Sequence, residues 1–179
     1  MRKFVSVLCL VGALGFMSGV SHAAVPPALQ SGSEPLWFSL GFGPAMGINK
    51  APNHFLLTQT FGIHFSGNAA GPAFAIDMHE SFGGNSFIFQ VTPRFVYDIQ
   101  IVKSLALYIS PSVGFGFTAT NFDRAGLTIP FSVKGKLIIQ DRWLVFFQPL
   151  GFDIMPLFGN NNSQVSVQYE MLFGGGITF

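Results

Sequence analysis

The amino-acid sequence predicts an all-β protein, an eight-stranded antiparallel up-and-down barrel that crosses a membrane. Three observations carry this reading. Apolar residues recur at every second position along whole segments, which is the period of a strand and not of a helix. Hydrophobic residues make up 49% of the 179 residues and mean hydropathy is +0.48, yet charged residues are only 9%, against about a quarter in soluble domains. Beyond the amino-terminal leader, no segment reaches the roughly 18 uninterrupted apolar residues that a spanning helix needs. A closed barrel is then the remaining way to satisfy the backbone in lipid.

Residues 1–23 read as a cleaved signal peptide. Arg2 and Lys3 form a basic start, Phe4 to Met17 an apolar run, and Ser21-His22-Ala23 a small-residue cleavage site. The single cysteine, Cys9, lies in that run, so neither a disulfide nor a thiolate metal site is expected in the mature chain. Without Arg2 and Lys3, seven basic residues face eight acidic ones, and no basic patch points to nucleic acid. Residues 24–35, rich in Pro and Ser, are expected to form an extended periplasmic lead, with the barrel spanning 36–179.

Eight strands follow in order. Leu36–Met46 sets Leu36, Phe38, Leu40 and Phe42 against Trp37, Ser39, Gly41 and Gly43. His54–Ser66 and Pro72–Phe82 alternate in the same way, with Gly67–Gly71 between them and Gly83-Gly84-Asn85 as a tight turn after the second. Ser86–Asp98 is the fourth strand, Ile99–Lys103 a turn, and Ser104–Phe117 the fifth strand. Thr118–Ala125 is expected to be a polar loop and Gly126–Ile139 the sixth strand. Gln140-Asp141-Arg142 turns into a seventh strand at Trp143–Ile154, which is apolar on both faces, so its facing stays open. The eighth strand, Ser163–Phe179, sets Val165, Val167, Tyr169, Met171, Phe173, Ile177 and Phe179 against Gln164, Ser166, Gln168, Glu170, Gly174, Gly176 and Thr178.

Alternation alone does not say which face meets lipid, since a lipocalin-type barrel would turn the Phe face inward. The second face is Gly, Ser, Thr and Ala with few charges. A water-facing surface would carry charge at about a quarter or more of its positions. Such residues instead suit the narrow interior of eight strands. With the carboxy-terminus in the periplasm, loops 47–53, 83–85, 118–125 and 156–162 fall outside, and all are short for a receptor or adhesin. Tyr97, Trp143 and Tyr169 are expected in interfacial aromatic girdles, and Trp37 and Tyr108 are also read as exposed. Pro93, Pro111, Pro130 and Pro149 lie inside strands four to seven at near-equal spacing. They should share one level, accommodated by bends or bulges or, functionally, by a lateral gap for lipid.

The inward charges form a candidate lumen network: Asp77, Arg94, Asp98, Lys134, Lys136 and Glu170, with His64 and His79 nearby. Asp77 is expected beside Arg94, and Lys134 or Lys136 within reach of Glu170, because isolated buried charge is costly. The network either plugs the lumen or lines a narrow ion path. Two His-x-Ser pairs, His64 with Ser66 and His79 with Ser81, place a histidine and a hydroxyl on one strand face, the arrangement of an activated nucleophile. No metal-ligand spacing, phosphate-binding loop or nucleotide motif appears, so no cofactor is expected.

The whole mature chain resembles small bacterial outer-membrane barrels of the OmpA-transmembrane and OmpX kind, through its leader, its alternating strands and its terminal Phe. Gly174, Ile177 and Phe179 resemble the terminal insertion signal of such barrels, while Leu172 stands where that signal prefers a polar residue. The resemblance implies an outer-membrane location after Sec export. It also implies periplasmic chaperones, barrel assembly machinery engaging the last strand, and outer-membrane lipids with lipopolysaccharide as surroundings. A periplasmic domain of the OmpA sort is not expected. The piece G-I-H-F-S-G-N-A-A-G is similar to the His-x-Ser-Asn motif of PagL-type lipid A deacylases, which would make His64 and Ser66 catalytic. Here Gly67 interrupts the motif, which falls on the second strand rather than late in the chain. A structural barrel is the leading functional reading, with a narrow channel and a lipid A hydrolase as alternatives.

Overall fold

Period-two alternation becomes nine β-strands in the computed structural model, which describes residues 34–49, 52–102, 105–121, 124–158 and 164–179. The signal peptide and all but the last two residues of the lead lie outside the described residues. The strands are β1 (Leu36–Asn49), β2 (His54–His64), β3 (Gly71–Gly83), β4 (Ser86–Gln100), β5 (Leu107–Gly114), β6 (Gly116–Thr120), β7 (Arg124–Ile139), β8 (Trp143–Phe158) and β9 (Gln164–Thr178). Strands β5 and β6 are two halves of one stave, interrupted at Phe115, and both pair with β4 and with β7. Eight antiparallel staves therefore close a ring, β9 returning to β1. At the seam Leu36 N donates to Phe179 O at 3.1 Å and Phe179 N to Leu36 O at 3.0 Å.

The ring is inside-out relative to a soluble protein. Phe42, Phe61, Phe95, Phe131 and Phe173 stand exposed on its exterior, while Asp77, Arg94, Thr92, Gln168 and Glu170 are buried within. That distribution is what a barrel in hydrocarbon requires. Inward glycines make room for large plugs. A Cβ on Gly62 would stand 2.1 Å from the Trp37 ring, and one on Gly174 2.4 Å from that of Phe146.

Several expectations are corrected. The fifth stave runs on to Thr120, so the polar loop begins later than Thr118, and β4 reaches Gln100, past the expected turn at Ile99. Trp37 and Tyr108 are buried rather than exposed, at 3% and 2%, because their alternation phase turns them into the lumen. The seventh stave, β8, carries a register shift between Gln148 and Gly151. Leu144, Phe146 and Gln148 point inward before it, and Gly151, Asp153, Met155 and Leu157 after it. Two consecutive residues, Pro149 and Leu150, thus sit on the outer side, and the phase inverts. The Tyr169 hydroxyl donates to the Pro149 carbonyl, occupying an acceptor that the bulge frees from the ladder.

The strand prolines do not share one level. Pro93 O accepts from Phe115 N at the break in the fifth stave, and Pro130, between Thr128 and Phe131, falls beside that same break. Pro111 instead pairs with Val133, which pairs with Leu150 next to Pro149. Two pairs of prolines thus sit at two irregularities, a strand break and a bulge.

Candidate functional site

The lumen is where the sequence concentrates its chemistry, and strand alternation puts it there. Its middle is organised by Arg94. The guanidinium Nε stands 2.8 Å from Asp77 Oδ2, and Nη1 donates to Ser132 Oγ at 3.2 Å. Ser132 shares a 2.7 Å hydrogen bond with Ser112. His79 projects between them, its Nε2 3.6 Å from Asp77 Oδ2 and its Nδ1 3.8 Å from Glu170 Oε1. The expected approach of Asp77 to Arg94 is therefore present.

Of the two lysines expected within reach of Glu170, Lys134 interacts with it electrostatically and Lys136 turns elsewhere. Lys136 Nζ donates to both oxygens of Asp98, at 3.0 and 2.8 Å, and lies 4.6 Å from the centre of the Trp37 ring. Lys134 lies 5.3 Å over the ring of Phe146. Chain order told which staves are neighbours, but the stagger between them decides which charges meet.

Around Asp98 the end of the barrel where β1 begins and β9 ends is closed. His64 Nε2 is 2.6 Å from Asp98 Oδ2 and His64 Nδ1 is 3.2 Å from Pro35 O. Trp37, Ala69, Ala73, Val96, Tyr108, Ile138 and Leu144 pack as one buried cluster beside these groups. Ala69 belongs to the turn after β2. There Ser66 Oγ donates to Asn68 Oδ1 at 3.0 Å and also bonds Ala70 O, while Ala70 N donates to Asn68 Oδ1 at 3.0 Å. The Ser66 and Asn68 of the deacylase-like motif thus build a turn. Neither ring nitrogen of His64 faces Ser66, and those of His79 face Asp77, Arg94 and Glu170 rather than Ser81. The candidate nucleophiles are not assembled.

The opposite end is open. A vestibule of about 350 Å³ is lined by residues including Pro52, Asn85, Thr120, Arg124, Gln164 and Ser166. Its floor is polar: His54 Nε2 bonds Ser86 Oγ at 2.7 Å, Gln168 Nε2 approaches His54 Nδ1 at 3.1 Å, and Gln90 Nε2 donates to Met155 Sδ at 3.0 Å. Below the floor, cavities lined by Trp37, Arg94, Lys134 and Phe146, and by Trp37, Asp98, Tyr108 and Lys136, hold only about 10 Å³ each.

Sequence reasoning missed His54, Gln168 and above all Asp153. All three are buried and polar, and Asp153 stayed unassigned because the bulge in β8 hides its phase. The terminal residues Gly174, Ile177 and Phe179 lie on or just beyond β9, where Gly174 pairs with Gly41 and Ile177 with Phe38. Leu172 points inward against Ala45, Leu56 and Phe146, a packing role that explains an apolar residue there. Of the aromatics expected in girdles, Tyr97 and Trp143 are exposed near strand ends, while Tyr169 is half-buried against Phe152.

Fold and lumen together define a small eight-stranded transmembrane β-barrel. No family model and no curated protein sequence matches the chain, but solved structures do. Neisserial surface protein A aligns over 80% of this chain and 96% of its own, at TM-score 0.58 and 10% identity. The amino-terminal β-barrel domain of Pseudomonas aeruginosa OprF aligns over 82% of this chain and 98% of its own, at TM-score 0.54 and 10% identity. At that identity the likeness is one of fold.

Proposed function

We propose that the protein is an integral barrel of the bacterial outer membrane, exported through a Sec leader. Its role in this reading is structural, with a lumen closed by its own side chains. The observation that carries the reading is the size of the spaces inside. Cavities of about 10 Å³ beneath the vestibule approach the lower limit for holding one water, far from a solute path. Trp37 and Phe146, with the Lys136–Asp98 pair, occupy the room that a channel would need. The similarity in fold to a neisserial surface protein and to the OprF barrel supports the location.

Planar-bilayer recording tests this directly. The wild-type protein is expected to be silent; steady conductance would favour the narrow channel and overturn the closed lumen. A hydrolase acting on lipid A has less support, since His64 is committed to Asp98 and Pro35 and Ser66 to its turn. Lipid A mass spectra are expected to be the same with the wild-type protein, with His64→Ala and without the protein. A loss of acyl chains that depends on His64 would restore the enzymatic reading.

A further inference from the structure

We infer that the lumen holds a divalent transition-metal site formed by His79, Asp153 and Glu170, reached from the vestibule. The three side chains come from β3, β8 and β9, and each offers a ligand atom within 4.8 Å of the others. All three are at least 98% buried. Asp153 adds a second observation. No N–H or hydroxyl group donates to either of its oxygens, which face the Glu170 carboxyl, and His79 Nδ1, the nitrogen turned toward Glu170, has no hydrogen-bond partner. Buried polar atoms left this way are costly, more so when charged, and these three groups lie close to one another.

The donor set selects the ligand. One imidazole and two carboxylates suit ions such as Zn²⁺ or Mn²⁺, while the absence of thiolate disfavours softer ones. Tetrahedral ligands at about 2.1 Å from one ion stand about 3.4 Å apart, so atoms now within 4.8 Å of one another close by up to about 1.4 Å on binding. A supporting carboxylate stands close by. A metal-bound histidine directs its other nitrogen to a carboxylate, and His79 Nε2 faces Asp77 at 3.6 Å, with Asp77 held by Arg94. Arg94 Nη2 donates to the same Nε2 at 3.4 Å, so binding through Nδ1 requires Nε2 to give up that bond and turn its proton toward Asp77.

Charge agrees. Asp77, Asp153 and Glu170 are three carboxyl groups facing the cations Arg94 and Lys134, and a bound cation would offset the third negative charge once all three are ionised. Access follows from register. Asp153 pairs with Gln168, and Met155 with Ser166, and Gln168, Met155 and Ser166 all line the vestibule. The site therefore lies one layer beneath the vestibule floor.

The test uses the full chain purified in detergent, stripped with a chelator and titrated with Mn²⁺ and Zn²⁺ by equilibrium dialysis with elemental analysis. One equivalent per chain is expected at neutral pH. Asp153→Asn and His79→Gln should each weaken uptake at least about tenfold, while Asp98→Asn, at the closed end, should not. Heat-modifiable gel migration confirms that each variant is folded, and if one fails to fold, the other and the wild-type stoichiometry still decide. Wild-type uptake no greater than that of Asp153→Asn would overturn the site, leaving a proton shared between Asp153 and Glu170. So would uptake that neither variant changes. The outcome is independent of whether the barrel conducts.

Discussion

Asp98 shows how few side chains close one end of the lumen. It accepts from Lys136 and His64 at once, beneath the Trp37 ring. Removing one partner of a buried pair leaves an uncompensated charge, worth about 3–5 kcal/mol. Asp98→Asn is therefore expected to lower unfolding stability in urea by that order, and pairing it with Lys136→Met should recover much of the loss. Gly62 is sensitive for a steric reason. Gly62→Ala drives a methyl into the Trp37 indole, an overpacking expected to cost about 1–3 kcal/mol. Trp37→Phe should relieve it in a double-mutant cycle. Tyr169→Phe removes only the bond to the bulge carbonyl and should cost about 1 kcal/mol.

Strand β8 is the element where pattern and structure part. Its outer side takes both Pro149 and Leu150 between the inward Gln148 and Gly151. Deleting Leu150 restores simple alternation and keeps every other side chain on its face. Deleting Phe147 instead forces Leu144 and Phe146 outward, or Asp153 into lipid. The first variant is expected to retain heat-modifiable migration and the second to lose it. Legibility follows the same line. In β1 to β4, β7 and β9 the inner face is mostly small or polar, with exceptions such as Trp37, Leu56 and Leu172, so alternation revealed both faces, the ring and most of the lumen charges. In β8 the plugs Leu144 and Phe146 make the inner face as apolar as the outer, and the bulge then inverts the phase. Asp153 disappeared from view for that reason, and with it the cluster around His79. The pairing of Lys136 with Asp98 escaped for a different reason, because stagger between staves is a property of the closed ring and not of any one strand.

At the scale of the whole molecule, the barrel in the proposed reading is a stopper with one cupped end. Trp37→Ala should open the closed end, and bilayer recordings are expected to turn from silent to measurable conductance, whereas Phe61→Ala, on the outer face, should leave them silent. The vestibule stays available at the other end whichever state the stopper is in. The seam between β1 and β9 has a consequence for how such a molecule comes into being. Its hydrogen bonds join the first described strand to the last, so the contacts that complete the sheet are those of greatest sequence separation. Before they form, β1 and β9 are raw edges able to template foreign strands. High contact order makes the final step slow. Unassisted refolding into vesicles should therefore lag, with the open-edged intermediate competing between closure and aggregation.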